Sequence, residues 1–198
     1  MYKVIGGVKS RALRVMWVLE ELGQPYDHVA AAPQSPEVMA FNPAGKIPVL
    51  VDDGVPITDS LAIMTYLADK HGALTFPAGT LDRARQDSLT HFIMDELEGP
   101  LWMASRHSFI LPEEMRMPAI KDSLKWEFER SQATLVARMA EDGPFLMGET
   151  MTIADILLAH IGGWAVTARF PWTEQRLRDH TAMMRDRDGF QRVMAKAT

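Results

Sequence analysis

Asn42-Pro43-Ala44-Gly45-Lys46-Ile47-Pro48-Val49-Leu50-Val51, then Asp52-Asp53-Gly54, then Val55-Pro56-Ile57-Thr58-Asp59-Ser60-Leu61-Ala62-Ile63, is the stretch that decides the fold. Ile47 to Val51 is a β-rich run with proline at its entrance. Asp52-Asp53-Gly54 is a hairpin turn signal, and Val55 to Thr58 is the return strand. Asp59 or Ser60 then caps a helix carrying Leu61, Ile63, Met64, Tyr66, Leu67 and Ala68, which His71-Gly72 closes. Working back toward the N-terminus, Tyr26 to Ala32 alternates weakly, as an edge strand does, and Ser35-Pro36-Glu37 starts a short helical turn ending near Phe41. Further back, Tyr2 to Ile5 is a short strand ended by Gly6-Gly7. Ser10 is placed to cap a helix with Leu13, Val15, Met16, Trp17, Leu19 and Leu22 on its face and Gly23 as its stop. The order β-α-β-α-β-β-α suits a small mixed sheet with helices on its faces.

Working forward, periodicity lapses between Ala73 and Thr80, around Pro77 and Gly79. After Leu81 the strand signals largely stop. Leu89, Phe92, Ile93 and Leu97 form one helical stripe. Ile120, Leu124, Phe128, Leu135 and Met139 form a second, and Ile153 through Trp164 a third, with a last helix over 182–196. The expected division is an α/β domain over 1–74, a linker over 75–82 and an all-α helical bundle over 83–198.

The 198 residues carry 21 Lys and Arg against 26 Asp and Glu, a net charge of -5, which argues against a general nucleic-acid binder. No stretch has the roughly 18 uninterrupted apolar residues of a membrane span. With no signal-peptide pattern at the N-terminus, the expected location is the cytoplasm. Cysteine is absent, so there is no disulfide framework and no protein thiol nucleophile. Sulfur chemistry here needs a thiol brought by a ligand. No histidine spacing suggests a metal site, and none is expected.

Three positions invite chemistry. Pro48 inside a strand-forming run needs a reason. It is either a trans proline at a strand's first residue or a cis bond after Ile47, which leaves backbone groups open to pair with an extended peptide. Asp59-Ser60 reads either as a plain helix cap or as an anion site that also offers a carboxylate to an ammonium. Ser10 has no His or acidic partner at a nearby spacing, so it is not a serine nucleophile. It is a cap, or a donor to a ligand thiolate.

Asn42 through Leu50, with Ile57 through Ile63 and Tyr66-Leu67, resembles the N-terminal domain of the glutathione S-transferase family. Ser10-Arg11-Ala12-Leu13-Arg14-Val15 through Gly23 is similar to the first helix of its bacterial, serine-type or theta-like members. Thr152-Ile153-Ala154-Asp155 resembles the capping box of the buried helix in the family's second domain. The motifs occur in order along nearly the whole chain. The resemblance implies a thioredoxin-like first domain, an all-helical second domain and usually a homodimer. It implies glutathione as co-substrate, with the Ile47 backbone beside a cis Pro48 pairing with the cysteinyl part. It further implies Asp59 and Ser60 on the γ-glutamyl end and Lys46 on the glycine carboxylate. Asp59 stands where Glu or Gln is more usual. Ile5 stands where many members carry tyrosine, which leaves Ser10 as the activator or no strong activator at all.

The implied activity is conjugation of the glutathione thiolate to a small hydrophobic electrophile. Trp102, Met103, Arg106 and His107 are expected in the acceptor pocket, together with Phe109. Arg11 is a further candidate near the thiolate, and Arg14 reads as a solvated or interface residue. Two other readings are a glutathione-binding regulator or assembly module without transferase activity, and a glutathione-dependent disulfide or peroxide reductase.

Overall fold

In the computed structural model, which describes residues 1–197, the hairpin stretch forms β3 (Val49–Asp52) and β4 (Val55–Thr58). Asp53 and Gly54 take φ of 47° and 84°, the positive values that a tight two-residue turn requires. With β1 (Tyr2–Ile5) and β2 (Tyr26–Val29) they form a four-stranded sheet of order β2-β1-β3-β4. β1 pairs parallel with β2 and antiparallel with β3, and β3 pairs antiparallel with β4. Every residue of β3 is buried, as a central strand covered on both faces demands. Pro56, which cannot donate a ladder bond, sits on the edge strand β4.

The connecting helices are α1 (Ala12–Glu21), α2 (Pro36–Met39) and α3 (Ser60–His71), which reproduces the expected thioredoxin-like order. Val15, Met16, Trp17 and Val18 of α1 and Ile63, Met64 and Leu67 of α3 are fully buried. Each such side chain contributes about 1.5–3 kcal/mol through removal from water. Gly72 closes α3 in the left-handed conformation.

The chain divides into two compact units, Met1–Ala78 with the chain from Arg185 onward, and Gly79–Met184. The second unit is helical throughout its named elements. α4 (Leu81–Phe92) runs through a π-helical segment, Ile93–Glu98, into α5 (Gly99–Ser105) and a second π-helical segment, Arg106–Ile110. A 3₁₀ turn, Glu113–Met115, precedes α6 (Ile120–Val136), α7 (Ile153–Ala168) and α8 (Gln175–Asp186). α7 is the central helix, with Ile153, Ile156, Leu157, Leu158 and Ile161 all buried. Asp155 makes the expected capping box with Thr152 and does more. Its carboxylate accepts the Thr152 N–H at 2.8 Å, the Leu146 N–H at 2.8 Å and the Thr152 hydroxyl at 3.1 Å. His180 of α8 adds a further bond at 2.9 Å.

The end of the chain departs from expectation. The single helix expected over 182–196 is two helices, α8 and α9 (Asp188–Ala195), broken where Arg187 turns extended at φ -66°, ψ 143°. α9 packs on α1 inside the first unit, so the bundle expected over 83–198 loses its last helix. The contact is aromatic: Phe190 meets Trp17 with ring centroids 4.8 Å apart.

Candidate functional site

One end of the sheet gathers the candidate residues of the first unit. Ile5, the last residue of β1, pairs with Val49, the first of β3, and Val49 pairs with Thr58, the last of β4. Antiparallel register therefore sets Ile47-Pro48 across from Asp59-Ser60, with Gly6 following beside them. The Ile47–Pro48 peptide is cis. A side chain on Gly6 would lie 3.0 Å from the Ala12 Cβ and 3.1 Å from the Ile47 Cβ. With its φ of 140°, that position needs glycine.

Ahead of this cis bond, the loop is folded by Asn42. Its side chain accepts the Ala44 N–H at 3.1 Å and donates to the Lys46 carbonyl at 2.8 Å. Gly45 turns the loop at φ 64°, against the Gln34 side chain. Lys46 is consequently fixed by its backbone while its side chain stays exposed.

Asp59 caps α3. Its Oδ1 accepts the Leu61 N–H at 2.9 Å and the Ala62 N–H at 3.0 Å, from a backbone at φ 73°. These bonds take two of the amides that a helix start leaves without partners and do not use the Ser60 N–H. Ser60 is 2% exposed, and its Oγ accepts from Nη1 of Arg14 at 3.2 Å. Arg14 is fully buried, which corrects its reading as a solvated or interface residue. The face of α1 on which it lies is covered, and its cation sits beneath the start of α3. Because the guanidinium only donates, the Ser60 hydroxyl proton remains available to an acceptor. No local signal in the sequence marks this pairing, which joins residues 46 positions apart.

Ser10 lies in the turn before α1. Its Oγ accepts the Ala12 N–H at 3.1 Å and donates to the Gly7 carbonyl at 2.6 Å. Ser10 is not the N-cap: α1 starts at Ala12 with Arg11 at the cap position and no capping side chain, and Ser10 reaches the Ala12 amide from the preceding turn, two residues ahead. The three tyrosines are engaged away from this point. Tyr2 meets His71 at 2.8 Å, Tyr26 donates to Glu20 at 3.0 Å, and Tyr66 donates to Asp52 at 2.6 Å.

The acceptor candidates belong to the second unit. Trp102 and Met103 lie on α5, and Arg106 and His107 one turn further on, in the π-helical segment. Trp102, Arg106 and His107 are half-buried and Met103 is 37% exposed. Phe109 is 69% exposed. The Met117 N–H donates to Nδ1 of His107 at 3.1 Å, so in the neutral ring the proton is on Nε2.

Residues 10–70 match the glutathione S-transferase N-terminal domain family. A maleylacetoacetate isomerase from Rhizobium meliloti is 39% identical over 90 residues, which is 42% of this chain and 42% of that protein. The glutathione S-transferase-like protein gedE of Aspergillus terreus is 28% identical over 174 residues, 78% of this chain and 74% of that protein. The crystal structure of a glutathione transferase from Methylococcus capsulatus superposes with a TM-score of 0.85. That match is at 24% identity and covers 100% of this chain and 98% of the other. The matched residues 10–70 contain Ser10, Arg14, the loop from Asn42 to Pro48 and the start of α3, and the fold extends the likeness over the full length. Residues 10–70 carry the glutathione S-transferase N-terminal domain, and the chain as a whole shares the fold of that transferase structure.

Proposed function

We propose that the protein is a glutathione S-transferase that conjugates the glutathione thiolate to a small hydrophobic electrophile. The observation that carries this reading is the meeting of Ile47-Pro48 and Asp59-Ser60 at one end of the sheet, with Arg14 buried behind Ser60 and Ser10 in the turn that follows β1. In this reading the Ile47 backbone pairs with the cysteinyl part of the tripeptide. Ser60 donates to the γ-glutamyl carboxylate, Asp59 receives the α-ammonium and Lys46 meets the glycine carboxylate. Asp is one methylene shorter than the usual Glu, and a bridging water spans the difference.

The chemistry is activation of the thiol. A free thiol has a pKa near 8.5, and lowering it by about two units takes roughly 2.7 kcal/mol of preferential thiolate stabilisation. Ser10 supplies part of it by turning its hydroxyl proton from the Gly7 carbonyl to the sulfur while still accepting the Ala12 N–H. Backbone N–H groups at the start of α1 and the Arg11 cation supply the rest. The thiolate attacks the electrophile, for which Trp102, Met103, Arg106 and His107 of the second unit are the acceptor candidates. His107, with its proton on Nε2, offers a hydrogen-bond donor there. The protein acts as a cytoplasmic homodimer in this reading.

Likeness to the rhizobial maleylacetoacetate isomerase favours a second reading over its 90 matched residues. There the same thiolate adds to a conjugated double bond, rotation follows, and the thiolate leaves again. Incubation with glutathione and a chromogenic aryl halide separates the readings from inactivity. Time-dependent release of halide with formation of the glutathione thioether supports the transferase. Isomerisation of an enone without net loss of glutathione supports the alternative. Neither reaction, in a protein that binds glutathione, would indicate a non-catalytic binding protein.

A further inference from the structure

The C-terminal helix is joined to the same stripe of α1 that reaches the candidate site. Arg14, Trp17 and Glu21 follow one another at helical spacing of three and four residues, so they share one face. Arg14 donates to Ser60. Trp17, fully buried, meets Phe190 in a tilted ring contact and donates from Nε1 to the Glu21 carboxylate at 3.0 Å. Glu21 in turn accepts both arms of the Arg187 guanidinium, at 2.9 and 2.8 Å. The Glu21 side chain is 10% exposed, and a Cβ at Gly189 would come within 2.7 Å of its Oε1, so helix and carboxylate are in close contact. The stripe is about 10 Å long at 1.5 Å per residue and cannot bend within so short a helix.

We propose that α9 is a brace for α1, in which Arg187 and Phe190 act as positioning residues holding Arg14 beneath Ser60. The brace is a property of the first unit. Its consequence for glutathione rests on the reading that Ser60 binds the γ-glutamyl carboxylate. Both partners of the Arg187–Glu21 pair make two directed bonds, which fixes the rotation of α1 as well as its distance. Phe190 fixes its depth. A loosened α1 rotates the Arg14 guanidinium away from the Ser60 oxygen, and Ser60 loses the partner that orients its hydroxyl.

The test compares wild type with Arg187→Gln, Arg187→Lys and Phe190→Ala by amide hydrogen exchange and by calorimetric titration with glutathione. Arg187→Gln should speed exchange in α1 and at the start of α3 while α7 is unchanged. It should weaken glutathione binding on the order of fivefold, the lower end of typical coupling between sites. The saturated rate should stay constant, and Arg187→Lys, which keeps the charge, should recover part of the affinity. Uniformly faster exchange that includes α7 would mean a general stability effect and overturn the proposal. So would faster exchange in α1 with unchanged affinity, or no change in α1 at all. If wild type fails to bind glutathione while Arg187→Gln still loosens α1 alone, the brace stands and the assignment of Ser60 falls.

Discussion

Ser10 and Ser60 are both hydroxyls at helix starts, yet they are wired oppositely. Ser10 spends its proton on the Gly7 carbonyl, whereas Ser60 accepts from Arg14, which does not use the Ser60 proton. Ser60→Ala should therefore weaken glutathione binding by about 1.5–3 kcal/mol, the range for a hydrogen bond to a charged group. The rate at saturation should hardly change, because the contact is the same in ground and transition states. Calorimetry and a plot of rate against glutathione concentration check both halves. Ser10→Ala should lower stability by about 1 kcal/mol through loss of its bonds to the Gly7 carbonyl and the Ala12 amide, read from chemical denaturation. Ser10, Pro48, Asp59 and Ser60 were legible in the sequence because each breaks a local rule or stands at a helix start. Arg14 was not. A buried arginine looks like any other charge until the packing that covers it is known.

At the level of elements, hydrogen bonds inside the protein set the vulnerabilities. Asp155→Ala leaves the Leu146 and Thr152 amides and His180 without their buried acceptor and should cost about 3–5 kcal/mol, measurable by denaturant unfolding. Asp155→Asn should cost less, since it keeps one acceptor oxygen. The α1–α9 contact gives a pH dependence. Burial pushes the Glu21 carboxyl up, but the hydrogen bonds from Arg187 and Trp17 outweigh it and hold the group below the ordinary glutamate range. Glu20 behaves alike: burial raises it, and Arg192, Lys196 and Tyr26 bring it below the usual value. A carboxyl held low in the fold stabilises at pH above its unfolded value, about 4.3, and loses that contribution as pH falls through the folded value. The stability difference between wild type and Glu21→Gln should thus be full at neutral pH and shrink in acid. Melting temperatures of the pair across pH 3 to 7 check it. The hairpin β3–β4 and the capping box were legible because local turn and cap chemistry dictates them. The break at Arg187 was not: residues 182–196 carry a helical pattern throughout, and contact with Glu21 and Trp17 decides where it turns.

Across the whole molecule, the order of elements was readable because hydrophobic periodicity switches from strand to helix near residue 81. The allocation of the tail was not, because α9 returns to a helix that precedes it by more than 160 residues. Cysteine is absent and all three tyrosines are engaged elsewhere, so the proposed activation of a ligand thiol rests on Ser10, backbone groups and Arg11. The ionisation of that thiol is therefore the decisive property. Ultraviolet titration of glutathione bound to wild type and to Ser10→Ala measures it directly, through the absorbance of the thiolate. The bound thiol in wild type should titrate about two units below the free value of roughly 8.5, and in Ser10→Ala one to two units higher than in wild type, with affinity little changed. Bound glutathione that titrates like the free thiol in wild type would contradict the account, and equal lowering in both proteins would remove Ser10 from the mechanism.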